Sequence, residues 1–276
     1  MTEEQSAFHM PSLTRGDLQV DYIDEGAGPP VLLLHSSVSG NRQWRRLIET
    51  LSPGYRCLAP NLLGYGQTTA WPAGRRQTLT DAASVALAIC ELVDQPVRLV
   101  GHSWGGAAAL FAANALGPRV SHLALYEPML HGLLLGHGRT EAGAEALAMH
   151  ATVRQRGDAG EWEDLARIFT DYFNGDGSWA TIAPDRRATV VRQLPPNRHE
   201  WDAGSNPITA QAFGAISAKA MVLCGSSTRL VTRETSAVLA EAFPHWDHRE
   251  VQGAGHMGPL THASTVNPLL ASFLAS

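Results

Sequence analysis

The clearest chemical signal in the sequence surrounds Ser103. An apolar run at residues 97–100 ends at Gly101, and an alanine-rich segment begins after Gly105 and Gly106. We interpret this order as a strand, a sharp turn and a helix, which presents a serine hydroxyl at the tip of the turn. Small residues are needed two positions before and after the serine, because the strand and the helix nearly collide there. The spacing therefore predicts a nucleophilic serine in a strained backbone conformation.

A nucleophilic serine needs a base, because its hydroxyl reacts poorly at neutral pH. Imidazole titrates in the right range. Of the 12 histidines, His256 lies in a glycine-flanked loop, residues 253–258, after the last predicted strand. A lone histidine is more often structural, so the residues alone make His256 a candidate base for Ser103.

The composition limits the class of protein. The chain has 276 residues, of which 44% are hydrophobic and 17% are charged. This length and hydrophobic content suffice for one large α/β domain with a well-filled core. The net charge is −5, and the sequence has no basic stripe for nucleic acid and no polybasic or apolar segment for membrane insertion. We expect a small-molecule substrate and no nucleic-acid or membrane partner, while the oligomeric state stays open.

The N-terminal residues and the cysteines bear on the compartment. Residues 1–10 include Glu3 and Glu4 and have no apolar run of signal-peptide length. The three cysteines, Cys57, Cys90 and Cys224, are odd in number and lie in apolar runs, which favours buried reduced thiols over disulfides. We expect a cytoplasmic protein.

Strand-like and helix-like segments alternate along most of the chain. Strands are predicted at 18–23, 31–34, 55–60, 97–100, 120–126, 220–224 and 248–252. Helices are predicted at 42–51, at 80–92 with a threonine cap, directly after Ser103, at 232–243 and at the C-terminal end. This alternation predicts a mostly parallel twisted sheet with right-handed crossovers and helices on both faces.

The alternation stops between residues 131 and 206, where helices are predicted at 140–156 and 161–173. An insertion of this length exceeds what a connection needs, so we predict a helical lid, residues 131–206, between two parts of the α/β core, residues 1–130 and 207–276. Five aromatic side chains of the lid favour a moderately hydrophobic substrate group, although the same side chains suit a lid core. They are Trp162, Phe169, Phe173, Trp179 and Trp201.

From about Leu18 onward the chain resembles the α/β-hydrolase fold family. The matching segments are the loop at His35, the loop at residues 62–66, the turn at Ser103 and the Gly-x-Gly-His segment that ends at His256, in the family's order of nucleophile, acid and histidine. The resemblance implies a hydrolase that forms an acyl-enzyme on Ser103, with His256 as base and no cofactor or metal.

The same resemblance implies an oxyanion hole formed by two backbone N–H groups. These are the N–H of Trp104, directly after the nucleophile, and an N–H from the His35 loop, which we assign to Ser37. The family usually has His-Gly in that loop, and here Ser36 replaces the glycine. Candidate substrate-binding residues, named with less support, are Ser36, His102, Met129, Trp179 and Met257, of which His102 is also expected to serve in packing.

The triad acid departs from the family's commonest pattern. The family usually places an aspartate three residues past the glycine that ends the strand at 220–224, and here Thr228 stands there. Threonine cannot carry the charge that stabilises an imidazolium. Glu127 ends the strand at 120–126, a position from which haloalkane dehalogenases and zearalenone lactonases take their acid. We prefer Glu127, with Glu234 or no acid as the alternatives.

Several functions stay open at this point. A carboxylic ester is the preferred substrate class, a lactone comes next because of the Glu127 placement, and a carbon–carbon bond hydrolase is a third candidate. A non-catalytic small-molecule receptor is the alternative from another class, and Thr228 is its one supporting feature. The sequence has no G-x-G-x-x-G dinucleotide pattern, and residues 245–248 have no partner cluster for a metal.

Overall fold

The computed structural model describes residues 8–72 and 74–276, and in these residues eight strands form one sheet. The strands are β1 (Ser12–Arg15), β2 (Leu18–Glu25), β3 (Pro30–Leu34), β4 (Arg56–Pro60), β5 (Val97–His102), β6 (Val120–Tyr126), β7 (Lys219–Gly225) and β8 (Asp247–Val251). Their order across the sheet is β1-β2-β4-β3-β5-β6-β7-β8. The pairings of β1 with β2 and of β2 with β4 are antiparallel, and the others are parallel.

The sheet buries both of its faces. In β3 every residue is buried, and alternate side chains enter different apolar clusters: Leu32 and Leu34 on one face, Val31 and Leu33 on the other. A strand covered on both faces reads as a continuous apolar run rather than an alternating one. This explains why the run at 31–34 has no polar residue.

Helices cover the two faces. Helices α2 (Leu79–Cys90) and α3 (Trp104–Leu116) pack on the face of Leu32, and α1 (Arg45–Leu51) and α12 (Ala263–Leu274) pack on the face of Val31. The short α11 (Gly258–Thr261) precedes α12, and α10 (Leu230–Ala242) joins β7 to β8. The predicted mostly parallel sheet between helices is confirmed.

Between β6 and β7 lies a series of helices that we call the helical insert, residues 131–206. Its members are α4 (His131–Gly136), α5 (Thr140–Asp158), α6 (Trp162–Asn174), α7 (Ser178–Thr181), α8 (Pro184–Gln193) and α9 (Pro195–Gly204). One side of α6 packs into the same apolar cluster as α2 and α3, and its Leu165 and Ala166 are fully buried.

Predicted elements differ from the observed ones mainly at their ends, but several elements were not predicted: strand β1 and helices α4, α7, α8, α9 and α11. Strand β1 has three exposed residues and one half-buried residue, which gives little periodicity. The helix predicted at 80–92 starts at Leu79, and its cap is Thr78, whose side chain accepts from the Asp81 N–H while Asp81 accepts from the Thr78 N–H. The helix predicted at 42–51 is a 3-10 turn, Asn41–Trp44, followed by α1.

No helix within residues 8–72 and 74–276 is both long and apolar enough to cross a membrane. Over the same residues all three cysteines are free thiols; Cys57 and Cys90 are buried and Cys224 is half-buried. The loops after β3, β5, β6, β7 and β8 meet at one edge of the sheet, because the carboxyl ends of parallel strands lie together. This edge carries the residues singled out in the sequence.

Candidate active site

Ser103 occupies the tight turn between β5 and α3. Its backbone has φ 54° and ψ −119°, a left-handed value that is strained for a residue with a side chain. A Cβ on Gly101 would lie 2.4 Å from the Gly105 carbonyl oxygen, and a Cβ on Gly105 would lie 2.3 Å from the Leu34 carbonyl oxygen. Both glycines are therefore required by the close approach of strand and helix, as their spacing indicated.

His256 faces Ser103 across the edge of the sheet. Its Nε2 lies 2.9 Å from Ser103 Oγ, and its side chain is 4% exposed. The loop that carries it is fixed by Tyr126, whose hydroxyl donates to the Gly255 carbonyl at 2.8 Å. The ring of Phe173, from α6 of the insert, stacks on the imidazole at 4.5 Å between ring centroids. The imidazole is thus held in the plane that reaches Ser103.

Glu127 completes the chain of hydrogen bonds. Its Oε2 lies 2.7 Å from His256 Nδ1. Glu127 is fully buried and has φ 42°, and its N–H donates to the Leu223 carbonyl at 3.0 Å, so strand pairing holds the turn that aims the carboxylate. Of the two acids considered, Glu234 lies elsewhere, where it pairs with Arg139 at 3.6 Å.

Thr228 lies at the position where the family most often has its acid, and it supports Glu127. Its hydroxyl donates to Glu127 Oε2 at 2.8 Å, and the N–H of Gly225 donates to Glu127 Oε1 at 2.7 Å. The Thr228 hydroxyl also lies 2.6 Å from that of Thr232. Hydrogen bonds of this kind hold the carboxylate in a fixed orientation against His256. Threonine at this position is therefore compatible with a triad that takes its acid from β6.

A second chain of hydrogen bonds connects the loop after β3 to the His256 loop. Ser36 donates to Gln43 Oε1 from its N–H at 3.1 Å and from its hydroxyl at 2.8 Å. Gln43 Nε2 lies 3.1 Å from His102 Nδ1, and His102 Nε2 lies 2.8 Å from the His256 carbonyl oxygen. Burial keeps the pKa of His102 well below its ordinary value, and the charge on His256 acts in the same direction. A neutral His102 thus accepts from Gln43 and donates to the His256 backbone.

The loop after β3 also carries Ser37. His35 braces this loop, because its Nδ1 lies 2.7 Å from the Ser36 carbonyl oxygen and its Nε2 accepts from the Leu62 N–H at 3.0 Å. Burial lowers the pKa of His35 to about 4, so the ring is neutral. The backbone N–H groups of Ser37 and Trp104 have no acceptor among the described residues.

Ser103 and His256 open onto a cleft of about 840 Å³. Two of the five candidate substrate-binding residues, Ser36 and Met257, line this cleft. The other three are buried outside its lining: His102 packs against Tyr126, Met129 lies under the insert, and Trp179 packs under the Arg187 guanidinium.

A second fully buried carboxyl group lies close to the cleft. Glu200, on α9, accepts from Asn197 Nδ2 at 3.0 Å, and its other oxygen, Oε1, has no hydrogen-bond partner among the described residues. Burial raises the pKa of Glu200 to about 7, although the neighbouring Ser37, Asn197 and Tyr65 side chains act in the opposite direction. The hydroxyl of Tyr65 accepts from the Val38 N–H at 3.0 Å, next to Ser37.

Sequence reasoning missed Gln43, Phe173 and Glu200, and it did not find what Thr228 does. Phe173 was named only as one of several apolar residues of the insert. No local pattern marks these residues, because each acts on a partner far along the chain: Gln43 on His102, and Thr228 on Glu127.

Comparison with known proteins decides the family. The model of the alpha/beta hydrolase family matches residues 31–268. The chain belongs to this family. The match spans both parts of the sheet and includes Ser103, Glu127 and His256, so the resemblance found in the sequence is confirmed.

Individual relatives in this family have different activities. The chain is 26% identical over 273 residues to the 2-hydroxymuconate semialdehyde hydrolase of Pseudomonas sp. (strain CF600), covering 94% of this chain and 91% of the relative. It is 35% identical over 113 residues to a haloalkane dehalogenase of Mesorhizobium japonicum, covering 40% and 36%. A thermophilic esterase from Thermogutta terrifontis superposes with a TM-score of 0.72 at 20% identity, over 97% of this chain and 98% of the esterase, which shows a common fold.

Proposed function

We propose that this member of the alpha/beta hydrolase family is a serine hydrolase that cleaves a carboxylic ester or a lactone. The observation that carries the proposal is the continuous set of hydrogen bonds from Ser103 Oγ through His256 to Glu127, at 2.9 and 2.7 Å, at the inner end of a cleft. A nucleophile, a base and an acid that orients the base are the groups acyl transfer needs.

In the proposed reaction Ser103 Oγ attacks the carbonyl carbon of the substrate. His256 Nε2 accepts the hydroxyl proton, and Glu127 stabilises the imidazolium through Nδ1. The imidazolium returns the proton to the leaving alkoxide, which departs as the alcohol, or stays attached to the acyl group when the substrate is a lactone. The product of this half-reaction is an acyl-enzyme on Ser103.

The second half-reaction uses water in place of the alcohol. His256 takes a proton from water, hydroxide attacks the acyl carbon, and Ser103 Oγ leaves with the proton from His256. The oxyanion of both tetrahedral species is assigned to the N–H groups of Ser37 and Trp104, since neither has an acceptor among the residues that the structure describes. One such donor typically contributes about 10²–10³ to turnover.

We further assign a lid role to the helical insert. Phe173 from α6 covers the ring of His256, and Gln193 from α8 donates to the Ser39 carbonyl at 2.7 Å. The insert therefore contacts both the base and the loop that carries Ser37. A cover over the triad excludes water and strengthens the electrostatic interactions inside.

A carbon–carbon bond hydrolase is the second candidate. It is favoured by the similarity to the 2-hydroxymuconate semialdehyde hydrolase, which extends over 94% of this chain. Both candidates use the same nucleophile, so they are separated by substrate and not by the effect of Ser103→Ala.

A substrate panel tests the proposal. We expect wild-type protein to hydrolyse at least one class of 4-nitrophenyl ester or lactone, and Ser103→Ala to lose this activity at the same level of folding, checked by circular dichroism. An acyl adduct on the wild-type chain after rapid quenching, seen by intact mass, supports the acyl-enzyme. Cleavage of 2-hydroxymuconate semialdehyde, the compound in the relative's name, with no cleavage of any ester or lactone would favour the second candidate.

A further inference from the structure

The charged residues that line the cleft are of one sign. Among the described residues, Arg42 and Arg186 line it, and no aspartate or glutamate does. The whole chain has the opposite balance, with a net charge of −5. The cleft is therefore positive against an acidic background, a pattern that attracts an anionic ligand.

These two arginines also differ from most others in the chain. Lys219 is the one lysine among 21 basic residues, so 20 are arginines. In the part of the chain that the structure describes, all but a few of them form ion pairs with carboxylates or donate to oxygen acceptors, as Arg139 and Arg187 do. Those with neither kind of partner are Arg42, Arg46, Arg186 and Arg233.

Arg42 and Arg186 reach the cleft from different parts of the fold. Arg42 lies in the 3-10 turn Asn41–Trp44 that follows the loop of Ser37, and Arg186 lies in the first turn of α8, in the insert. Both arginines are exposed, whereas Ser103, which lines the same cleft, is buried. A planar guanidinium offers paired donors that match a carboxylate. Two exposed guanidinium groups in the lining of a cleft whose serine is buried fit an anion at the end of the substrate away from the carbonyl.

We propose that the substrate is an ester or lactone with a carboxylate distal to the scissile carbonyl, and that Arg42 and Arg186 bind this carboxylate. The inference rests on the proposed function for its carbonyl group, while the arginine site itself binds an anion whether or not turnover occurs. Because both arginines are exposed, each is expected to contribute a modest factor of roughly 2 to 5 in affinity.

The test is equilibrium binding to the Ser103→Ala variant, which separates recognition from turnover. The ligands are 4-acetoxybenzoate and its neutral methyl ester, measured by isothermal titration calorimetry, and a second pair carries the charge on the acyl side: 4-nitrophenyl hemiglutarate and 4-nitrophenyl pentanoate. We expect at least one anionic ligand to bind more tightly than its neutral partner. Arg42→Gln and Arg186→Gln together should reduce the preference roughly 4- to 25-fold.

The two other unpaired arginines supply matched controls. Arg46→Gln and Arg233→Gln remove the same charge from exposed residues outside the lining of this cleft, and neither breaks an ion pair. We expect them to leave the preference within twofold. Raising the salt concentration should weaken binding of the anionic ligand and not of the neutral one, because salt screens exposed charges.

Equal affinity for charged and neutral ligands in both pairs would overturn the inference, and so would an equal loss in the control variants, since the preference would then reflect net charge alone. Hydrolysis of the same ligands by the wild-type protein is measured separately. If wild type hydrolyses the neutral esters and shows no preference for anionic ligands, the proposed function is supported and the carboxylate site is rejected. If anionic ligands bind through the two arginines and no ester is hydrolysed, the carboxylate site stands and ester hydrolysis falls.

Discussion

Glu127 and Glu200 are both buried carboxyl groups of the candidate site, Glu127 beside His256 and Glu200 beside Ser37, yet their surroundings differ. Glu127 receives hydrogen bonds from Gly225 and Thr228 and pairs with His256. Glu200 accepts a hydrogen bond from Asn197 and lies next to the Ser37 and Tyr65 side chains, and although all three act to lower its pKa, burial raises that pKa to about 7. Burial disfavours the charged form of a carboxyl group, and hydrogen bonds to that form oppose the effect. The two carboxyl groups differ in their partner: Glu127 pairs with the ring of His256, whereas Glu200 hydrogen-bonds to Asn197.

The largest effect expected from this contrast is on turnover. Glu127→Gln removes the negative charge next to His256 Nδ1, and loss of such a charge in related triads costs about 10⁴ in kcat. Glu200→Gln is expected to change kcat by less than about tenfold, since Glu200 has no contact with His256. Steady-state kinetics on one hydrolysed ester measures both. A similar decrease of kcat in the two variants would show that Glu127 has no catalytic role that Glu200 lacks.

A smaller effect is expected from one donor to Glu127. Thr228→Val keeps the shape of the side chain and removes the hydroxyl that donates to Oε2. We expect kcat/KM to fall about tenfold, because a hydrogen bond to a charged group contributes about 1.5–3 kcal/mol and part of it is already present in the ground state. Thr228→Ser, which keeps the hydroxyl, is the matched control. Wild-type kinetics in Thr228→Val would show that the hydrogen bond from Thr228 to Glu127 does not contribute to catalysis.

The third prediction concerns stability and isolates Glu200. Its pKa is raised from 4.5 to about 7 in the fold, so the native state binds more protons than the unfolded state between these values. The favourable effect of the neutral acid is therefore complete below about pH 4.5 and is lost as the pH rises through about 7. At higher pH the loss levels off near 3 kcal/mol, as an order of magnitude.

Glu200→Gln should remove this pH dependence. The free energy of unfolding of the variant minus that of wild type is expected to grow between pH 4.5 and 7 and to stay constant above, measured by urea titration at several pH values. Glu141→Gln changes the same charge at an exposed residue and should give a flat difference. A flat difference for Glu200→Gln as well would mean that Glu200 is not held neutral by burial.

The sequence predicted the fold class, and it named the three residues that we propose as the triad. The buried run at 31–34 and the glycines around Ser103 reflect constraints that act within a few residues, namely two-sided burial and close approach of strand to helix. Glu127 could be proposed because it ends a strand, and strand ends meet at one edge of a parallel sheet. The sequence already favoured Glu127 over Glu234, and the structure places Glu234 beside Arg139.

The remaining features depend on contacts between distant parts of the chain. Glu200 has no local mark that separates it from a surface residue of α9, and its environment comes from Ser37 and Tyr65, more than 130 residues away in sequence. The stacking of Phe173 on His256 depends on how the insert docks on the core. The two charges of the cleft also could not be found from the sequence, because Arg42 and Arg186 line one cleft only in the folded chain.

The measurement that tests the central claim most directly is the rate of labelling of Ser103 by a fluorophosphonate, followed by intact mass, because it reports serine activation without a known substrate. We predict one adduct on wild type, none on Ser103→Ala, labelling slowed by orders of magnitude in Glu127→Gln, and labelling near the wild-type rate in Glu200→Gln. Labelling of Ser103→Ala, or an unchanged rate in Glu127→Gln, would contradict a triad of Ser103, His256 and Glu127.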